Sequence, residues 1–255
     1  MRGLSGKVAV ITGAGSGLGR GMAIRLAEEG VAVAVLDLNL AGAQQTVDAI
    51  VNGGGRGLAV ETDIADYAAC ESGVAQVESQ LGAVDILVNN AGWDKAMPFL
   101  DTDPELWRKI IDINLYGPLN MHHVTVPRML ERGGGKVINI ASDAGRVGSS
   151  GESVYSACKG GIIAFGKTLS RELARGGVII NSVCPLTSDT PLFADFAGEC
   201  EAGEKLRASL ARSIPLKRLG TPQDIAGLVA FLASEEANFI VGQTISVSGG
   251  LTMHG

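Results

Sequence analysis

The run Val8-Ala9-Val10-Ile11-Thr12 passes directly into Gly13-Ala14-Gly15-Ser16-Gly17-Leu18-Gly19 and then into a helical pattern. No other junction in the chain restricts its fold so strongly. A short, almost unbroken apolar run reads as a strand buried on both faces. Closely spaced glycines permit a tight turn with positive φ and let the helix begin hard against the strand. The first-turn N–H groups of that helix lack intrahelical partners, and its dipole favours an anion lying in the turn.

The same unit recurs. Further apolar runs at 31–36, 57–61, 86–89, 136–141, 178–184 and 244–247 alternate with helical stretches at about 18–29, 41–52, 66–81, 104–132 and 154–175. Repeated strand-then-helix spacing implies right-handed crossovers between parallel strands. The expected architecture is α/β: a Rossmann-type doubly wound parallel seven-stranded sheet with helices on both faces. No linker or shift in composition divides residues 1–255, which read as one catalytic domain. The long irregular stretch at 186–220 reads as a substrate-lid insertion, since structureless segments of that length in compact domains are usually functional.

Composition narrows the partners. A formal charge of −6 argues against nucleic acid, which calls for a basic excess or stripe. No apolar run approaches the ~20 residues needed to span a bilayer, and the first one (8–11) is too short for a secretory signal. Cys70, Cys158, Cys184 and Cys200 are scattered without CxxC spacing, so a reduced, cytoplasmic setting is expected. His122 and His123 are helix neighbours about 100° apart and cannot share a metal as an i,i+4 pair would. No metal site is expected.

Asp37 closes the second strand, where an acidic residue can accept hydrogen bonds from an adenosine ribose and repel a 2′-phosphate. Ser16 in the loop and Leu38 after the aspartate offer no compensating base, so NAD is expected over NADP. Tyr155 and Lys159 lie four apart on a helix, hence on one face. An ammonium one turn from a phenol favours the phenolate, lowering a pKa otherwise near ~10. Ser142, at the C-terminal end of the preceding strand, stands where open α/β sheets bind their ligands and can stabilise charge on a reacting oxygen.

These motifs together resemble the short-chain dehydrogenases/reductases. The match runs through Thr12-Gly13-x-Gly15-x-Gly17-x-Gly19, Asp63, Asn89-Asn90-Ala91-Gly92, Asn114, Ser142, Tyr155-x-x-x-Lys159 and Pro185. The resemblance implies that Tyr155 is the general acid/base and that Ser142 positions the substrate oxygen. It implies that Lys159 also holds the nicotinamide ribose and that Asn114 serves a proton relay. It places Gly13, Ser16, Gly17, Leu18, Gly19, Asp37, Leu38, Asp63, Ile64, Asn90, Gly92, Thr187 and Thr190 in the cofactor groove, with Asp63 and Ile64 at adenine. It also implies a 222-symmetric homotetramer or a dimer built on the long helices. Gly160, Gly161 and Gly166 fit that reading, because glycines inside a helix cost propensity and are best explained by close packing.

Two features go beyond the shared pattern. Pro118 lies four residues after Asn114, so the Asn114 carbonyl loses its intrahelical donor and the helix should kink there. Leu186 follows Pro185 where the family usually has glycine, adding bulk where the backbone approaches the nicotinamide. Apolar residues Trp93, Met97, Val147, Leu186, Leu192, Phe193 and Phe196 point to a cyclic or aryl secondary alcohol or its ketone. The stretches 90–95, 141–152 and 246–253 are similar to alicyclic hydroxyacyl-CoA dehydrogenases of the 2-hydroxycyclohexanecarboxyl-CoA type. Lys95, Arg146, Lys205, Arg207 and Arg212 could meet CoA phosphates. The alternatives are a 3-oxoacyl-thioester reductase and a non-catalytic dinucleotide-binding sensor.

Overall fold

The computed structural model describes residues 1–186 and 201–253. Seven parallel strands form one sheet: β1 (Val8–Thr12), β2 (Ala32–Asp37), β3 (Arg56–Glu61), β4 (Ile86–Asn89), β5 (Gly135–Ile140), β6 (Val178–Pro185) and β7 (Thr244–Val247), ordered 3-2-1-4-5-6-7. Each lies within a residue or so of its expected position. Val31 stays outside β2 because its N–H closes the end of the first helix on Leu26 O, and pairing begins with Ala32 N–H on Lys7 O.

Alternate strand residues sort into two layers, as the period of two requires. Ala9, Ile11, Val33, Val35, Val88, Ile138 and Val183 pack on one face with α1 (Gly17–Glu28), α2 (Leu40–Asn52) and, nearer the C-terminus, a helix at Pro222–Ala233. Val10, Ala34, Leu36, Leu87, Val137 and Ile180 pack on the other with α3 (Tyr67–Gln80) and α5 (Gly117–Glu131). With helices on both faces, hydrophobic burial leaves only the strand ends and edges for solvent and ligand.

The expected single helix over 104–132 is three pieces: α4 (Pro104–Ile111), a π-helical segment (Asp112–Tyr116) and α5. Gly117 N–H reaches Asp112 O, one residue beyond α-helical spacing. Pro118 sits in the first turn of α5, where its missing N–H is tolerated. The break is where Pro118 demands it, and its form is a local widening of the ladder.

After β5 come α6 (Ala144–Val147) and α7 (Ser153–Leu173). Within the 186–220 stretch, Glu201–Ser213 forms α8, so that part is regular rather than irregular; α9 is Pro222–Ala233. A Cβ on Gly160 would stand 3.0 Å from Gly145 O of α6, and one on Gly166 would stand 3.3 Å from Asn139 Nδ2. The close approaches expected of these glycines are thus made within the chain. Among the described residues, no helix is long and apolar enough to cross a membrane.

Candidate active site

Parallel register brings the C-terminal ends of β1, β2 and β4 to one edge. Thr12 pairs with Leu36 and Ile11 with Val88, so Gly13, Asp37 and Asn90 emerge together at the point where chain order reverses. Such switch points are where open α/β sheets take ligands. Asn90 locks the junction: its Nδ2 donates to Thr12 O (2.9 Å) and Gly13 O (3.0 Å), and its N–H to Thr12 Oγ1 (3.0 Å). Gly13 has φ +62°, and a Cβ there would lie 2.7 Å from Ala91 Cα, so no other residue fits. Gly19 is equally constrained, with a Cβ 2.4 Å from Gly13 O.

Ser16 stands at the start of α1, exposed and making no side-chain cap, whereas Asn39, Asp66 and Asp103 cap α2, α3 and α4. The first turn of α1 (Gly17, Leu18, Gly19) therefore presents its N–H groups to the groove, while Leu18 packs on the core. Asp37 Oδ2 accepts from Gly15 N–H (2.8 Å) and Oδ1 from Asn39 N–H (2.9 Å), which aims the carboxylate beside the loop. Leu38 next to it is exposed. Asp63 is exposed and turns back to accept from Ala65 N–H (2.9 Å); Ile64 is buried on Gly117.

Ser16 and Leu38 offer no base, but the fold supplies one: the Arg20 guanidinium, one turn into α1, donates to Gly15 O, Thr46 Oγ1 (3.0 Å) and Gln45 Oε1 (3.2 Å). These bonds, made through Nε and one terminal nitrogen, brace the loop against α2.

At the far end of the groove, Ser142, Tyr155 and Lys159 come together. Ser142 follows the end of β5, its Oγ accepts from Ala144 N–H (3.1 Å), and its hydroxyl favours the phenolate of Tyr155. Lys159 Nζ lies 5.4 Å from the Tyr155 ring centroid and donates to Ile140 O (3.0 Å). A Cβ on Gly92 would come within 3.4 Å of Lys159 Nζ and 2.9 Å of Asn114 Oδ1. Asn114 is fully buried in the π segment and clamps Trp93 from both sides, accepting from its N–H (3.3 Å) and donating to its carbonyl (2.6 Å) and to Ile110 O (2.9 Å).

The expected lowering of the Tyr155 pKa by Lys159 is not found. Burial dominates and raises it, the charges of Glu152 and Asp94 add to the rise, and the Ser142 hydrogen bond opposes it. Lys159 is itself buried, which pulls its pKa down to about 8. Desolvation wins because the ammonium is turned to Ile140 O. The pair at neutral pH is a phenol beside an ammonium.

Sequence reading also missed a brace behind Ser142. Asp143 Oδ1 accepts from Ser246 Oγ (2.6 Å) and pairs with Arg146 (3.5 Å), and Arg146 donates to Ser246 Oγ (2.6 Å), tying the end of β5 to β7. Arg146, expected as a CoA-phosphate contact, is engaged there. Leu186 N–H donates to Val247 O (3.0 Å), so the departure from glycine begins as an extension of the β6–β7 pairing. Trp93 lies under Lys109 Nζ, 3.9 Å from its ring centroid, and Val147 is exposed. His122 is buried against Phe165 and His123 faces Tyr67, so the two imidazoles diverge. Cys158 is buried, as expected of a small apolar filler. Thr187, Thr190, Leu192, Phe193, Phe196 and Cys200 lie outside the described residues.

Residues 13–252 match the family model described as enoyl-(acyl carrier protein) reductase. A 3-oxoacyl-[acyl-carrier-protein] reductase of Staphylococcus epidermidis is 39% identical over 254 residues, 97% of this chain and 99% of the relative. A cyclohexanol dehydrogenase of an Acinetobacter species is 39% identical over 250 residues, 96% of this chain and 95% of that one. A 3-ketoacyl-(acyl-carrier-protein) reductase of Brucella melitensis, solved with NADH, superposes with a TM-score of 0.91 at 35% identity, covering 98% of this chain and 100% of the other. The chain belongs to the short-chain dehydrogenase/reductase family. It is an oxidoreductase by that membership.

Proposed function

We propose that the protein is an NAD-dependent dehydrogenase interconverting a secondary alcohol and a ketone, acting on an alicyclic or aryl alcohol. The observation that carries this reading is the convergence of Ser142, Tyr155 and Lys159 at the strand ends, one groove away from Asp37. The residues present fit a dinucleotide: open N–H groups at the start of α1, a carboxylate aimed beside the loop, and glycines where side chains would collide. When bound, its nicotinamide supplies the acceptor or donor of hydride.

Tyr155 moves the hydroxyl proton. As a phenol at neutral pH it is ready to protonate a developing alkoxide, and for oxidation it gives up its own proton first. Lys159, an ammonium below about 8, donates to Ile140 O and by family resemblance would hold the nicotinamide ribose. Ser142 donates to the reacting oxygen. Asn114 anchors the backbone at Trp93 and continues the proton path. Asp37, aimed beside the loop, selects NAD by repelling a 2′-phosphate. Thr187 and Thr190 complete the carboxamide and phosphate contacts by family resemblance, and the 186–220 stretch acts as the lid.

The substrate reading is supported by the cyclohexanol dehydrogenase relative and by Arg146 being committed to Asp143 and Ser246, which weakens the case for a CoA ester. A second reading, 3-oxoacyl-thioester reduction, is favoured by the reductase relatives. A homotetramer or dimer in a reduced cytoplasm completes the proposal; Cys70, Cys158 and Cys184 are buried free thiols.

Initial rates at 340 nm with NAD and NADP decide it, using cyclic and aryl alcohols beside short β-hydroxyacyl thioesters. Turnover of the cyclic alcohols with NAD, lost by at least ~10³-fold in Tyr155→Phe while NADH still binds, is the expected result. Turnover confined to acyl thioesters with NADPH would establish the second reading. Undiminished turnover in Tyr155→Phe would remove the assigned acid/base.

A further inference from the structure

α6 (Ala144–Val147) is a single turn, too short to hold its own place, so whatever grips its two sides decides where it lies. One side is packed on α7. A Cβ on Gly145 would come 2.5 Å from Gly160 N and 2.6 Å from Lys159 C, so α6 touches the backbone that carries Lys159. The other side is gripped by charge. Asp143 at the start of the turn and Arg146 within it converge on the hydroxyl of Ser246 in β7. That hydroxyl donates to Asp143 Oδ1 and accepts from Arg146 Nη1, both at 2.6 Å. The same Arg146 nitrogen stands 3.5 Å from Asp143 Oδ1 and closes the triangle. Asp143 is buried and the Arg146 side chain is only 18% exposed, so these charge-assisted bonds are shielded from water and strong.

Ser142 is the residue this arrangement places. It joins β5 to α6; its Oγ accepts from Ala144 N–H (3.1 Å) and its carbonyl from Gly145 N–H (3.0 Å), so the first turn of α6 orients its hydroxyl. β7 is in turn fixed to the end of β6: Cys184 pairs with Ser246, and Leu186 N–H donates to Val247 O (3.0 Å). The triangle thus joins the segment carrying Ser142 to the β6–β7 edge, while α6 abuts the turn of α7 that carries Lys159.

We infer that Asp143, Arg146 and Ser246 are positioning residues: they pin α6 to β7 and so set where the Ser142 hydroxyl meets the reacting oxygen. This deepens the dehydrogenase reading and rests on it. None of the three exchanges a proton or a hydride; each acts through Ser142. β7 and β2, which ends at Asp37, lie at opposite sides of the sheet, so the grip on the adenosine half of the cofactor is independent of the triangle. Loosening α6 costs rate more than binding, since a misplacement of about 1 Å at a reacting group can cost on the order of a hundredfold.

Three single variants of the full-length protein test this. Ser246→Ala removes the shared hydroxyl, Asp143→Ala the carboxylate, and Asp143→Asn keeps an acceptor while losing the charge. On the alcohol turned over fastest, kcat is expected to fall by about tenfold or more in Ser246→Ala and Asp143→Ala and by less in Asp143→Asn. The KM for the alcohol and the NADH Kd by fluorescence are expected to stay within about twofold. Each change is then repeated in a Ser142→Ala background, where the triangle has nothing left to place and the added loss is expected to stay under about twofold. Undiminished kcat in both alanine variants, a loss confined to KM or NADH binding, or an added loss as large as in the parent overturns the assignment. Where Asp143→Ala leaves Arg146 unpaired and does not fold, Ser246→Ala and Asp143→Asn decide it alone. Silence of the unaltered protein on every alcohol and thioester would instead strike the dehydrogenase reading. Crystal structures then decide the positioning: Ser142 Oγ displaced from its place beside α6 by more than about 0.5 Å in Ser246→Ala supports it, and a smaller displacement refutes it.

Discussion

Asp37 and Arg20 hold opposite charges on one loop residue, the first through Gly15 N–H and the second through Gly15 O. On the proposed reading the Asp37 carboxylate disfavours a 2′-phosphate, while Arg20 stands one turn away, bonded to the loop through Nε and one terminal nitrogen. Asp37→Ser removes the repulsion while Arg20 remains in place. The ratio of kcat/KM for NAD over NADP is expected to fall by about tenfold or more, measured by initial rates at 340 nm. An unchanged ratio would mean that nucleotide choice is made elsewhere. At this scale the sequence showed which residues meet: Tyr155 and Lys159 share a helix face because they are four apart, and Ser142 ends a strand. It did not show how their protons are balanced. Burial of Tyr155 and the turning of Lys159 toward Ile140 O are tertiary facts, as is the position of Arg20.

The helices differ in what ends them, and the difference follows what each must do. α1 begins at an uncapped Ser16 facing the groove, whereas α9 begins in a closed box. There Asp224 Oδ2 accepts from Thr221 N–H and hydroxyl, both at 2.8 Å, and Arg218 grips the carboxylate with two bonds of 2.6 and 2.7 Å. That pairing holds the Asp224 pKa well below the usual carboxylate range. α9 packs directly on α1; a Cβ on Gly21 would lie 2.5 Å from Pro222 Cβ. Asp224→Ala is therefore expected to cost about 1 kcal/mol in urea unfolding at neutral pH, the usual price of a lost N-terminal cap. A cost under about a third of that would show that packing on α1 alone holds the helix start. Pro118 announced the break in the long helix, but sequence periodicity could not distinguish a kink from a π segment. The choice depends on how Asn114 is buried against Trp93, not on local propensity.

Strand positions were legible because continuous apolar runs bounded by glycine can hardly be anything else in an α/β chain, and the handedness of crossovers leaves few sheet orders. The polar interior of the molecule was not legible. Asn89, Asn139 and His122 meet between the sheet and the α5–α7 layer, where Asn89 Nδ2 bonds Asn139 Oδ1 (3.0 Å) and approaches His122 Nδ1 (3.2 Å). His122 Nδ1 also lies 2.7 Å from Pro118 O, a geometry that places its proton on that nitrogen, while Nε2 has no partner among the described residues. Complete burial drives the imidazole pKa down from 6.5 to about 4. The folded molecule thus resists a proton that the unfolded chain accepts. Above pH 6.5 both states are neutral and stability is whole; as pH falls from 6.5 to about 4 the unfolded state gains the proton alone and stability drains away. The loss from this one group reaches about 3 kcal/mol, enough to govern the acid limb of a protein of ordinary stability. His122→Gln keeps a polar side chain without the titration. Urea midpoints measured from pH 7.5 to 4.5 are expected to fall more gently for the variant than for the unaltered protein, even where the variant starts lower. Parallel slopes would place the acid sensitivity in the carboxylates instead.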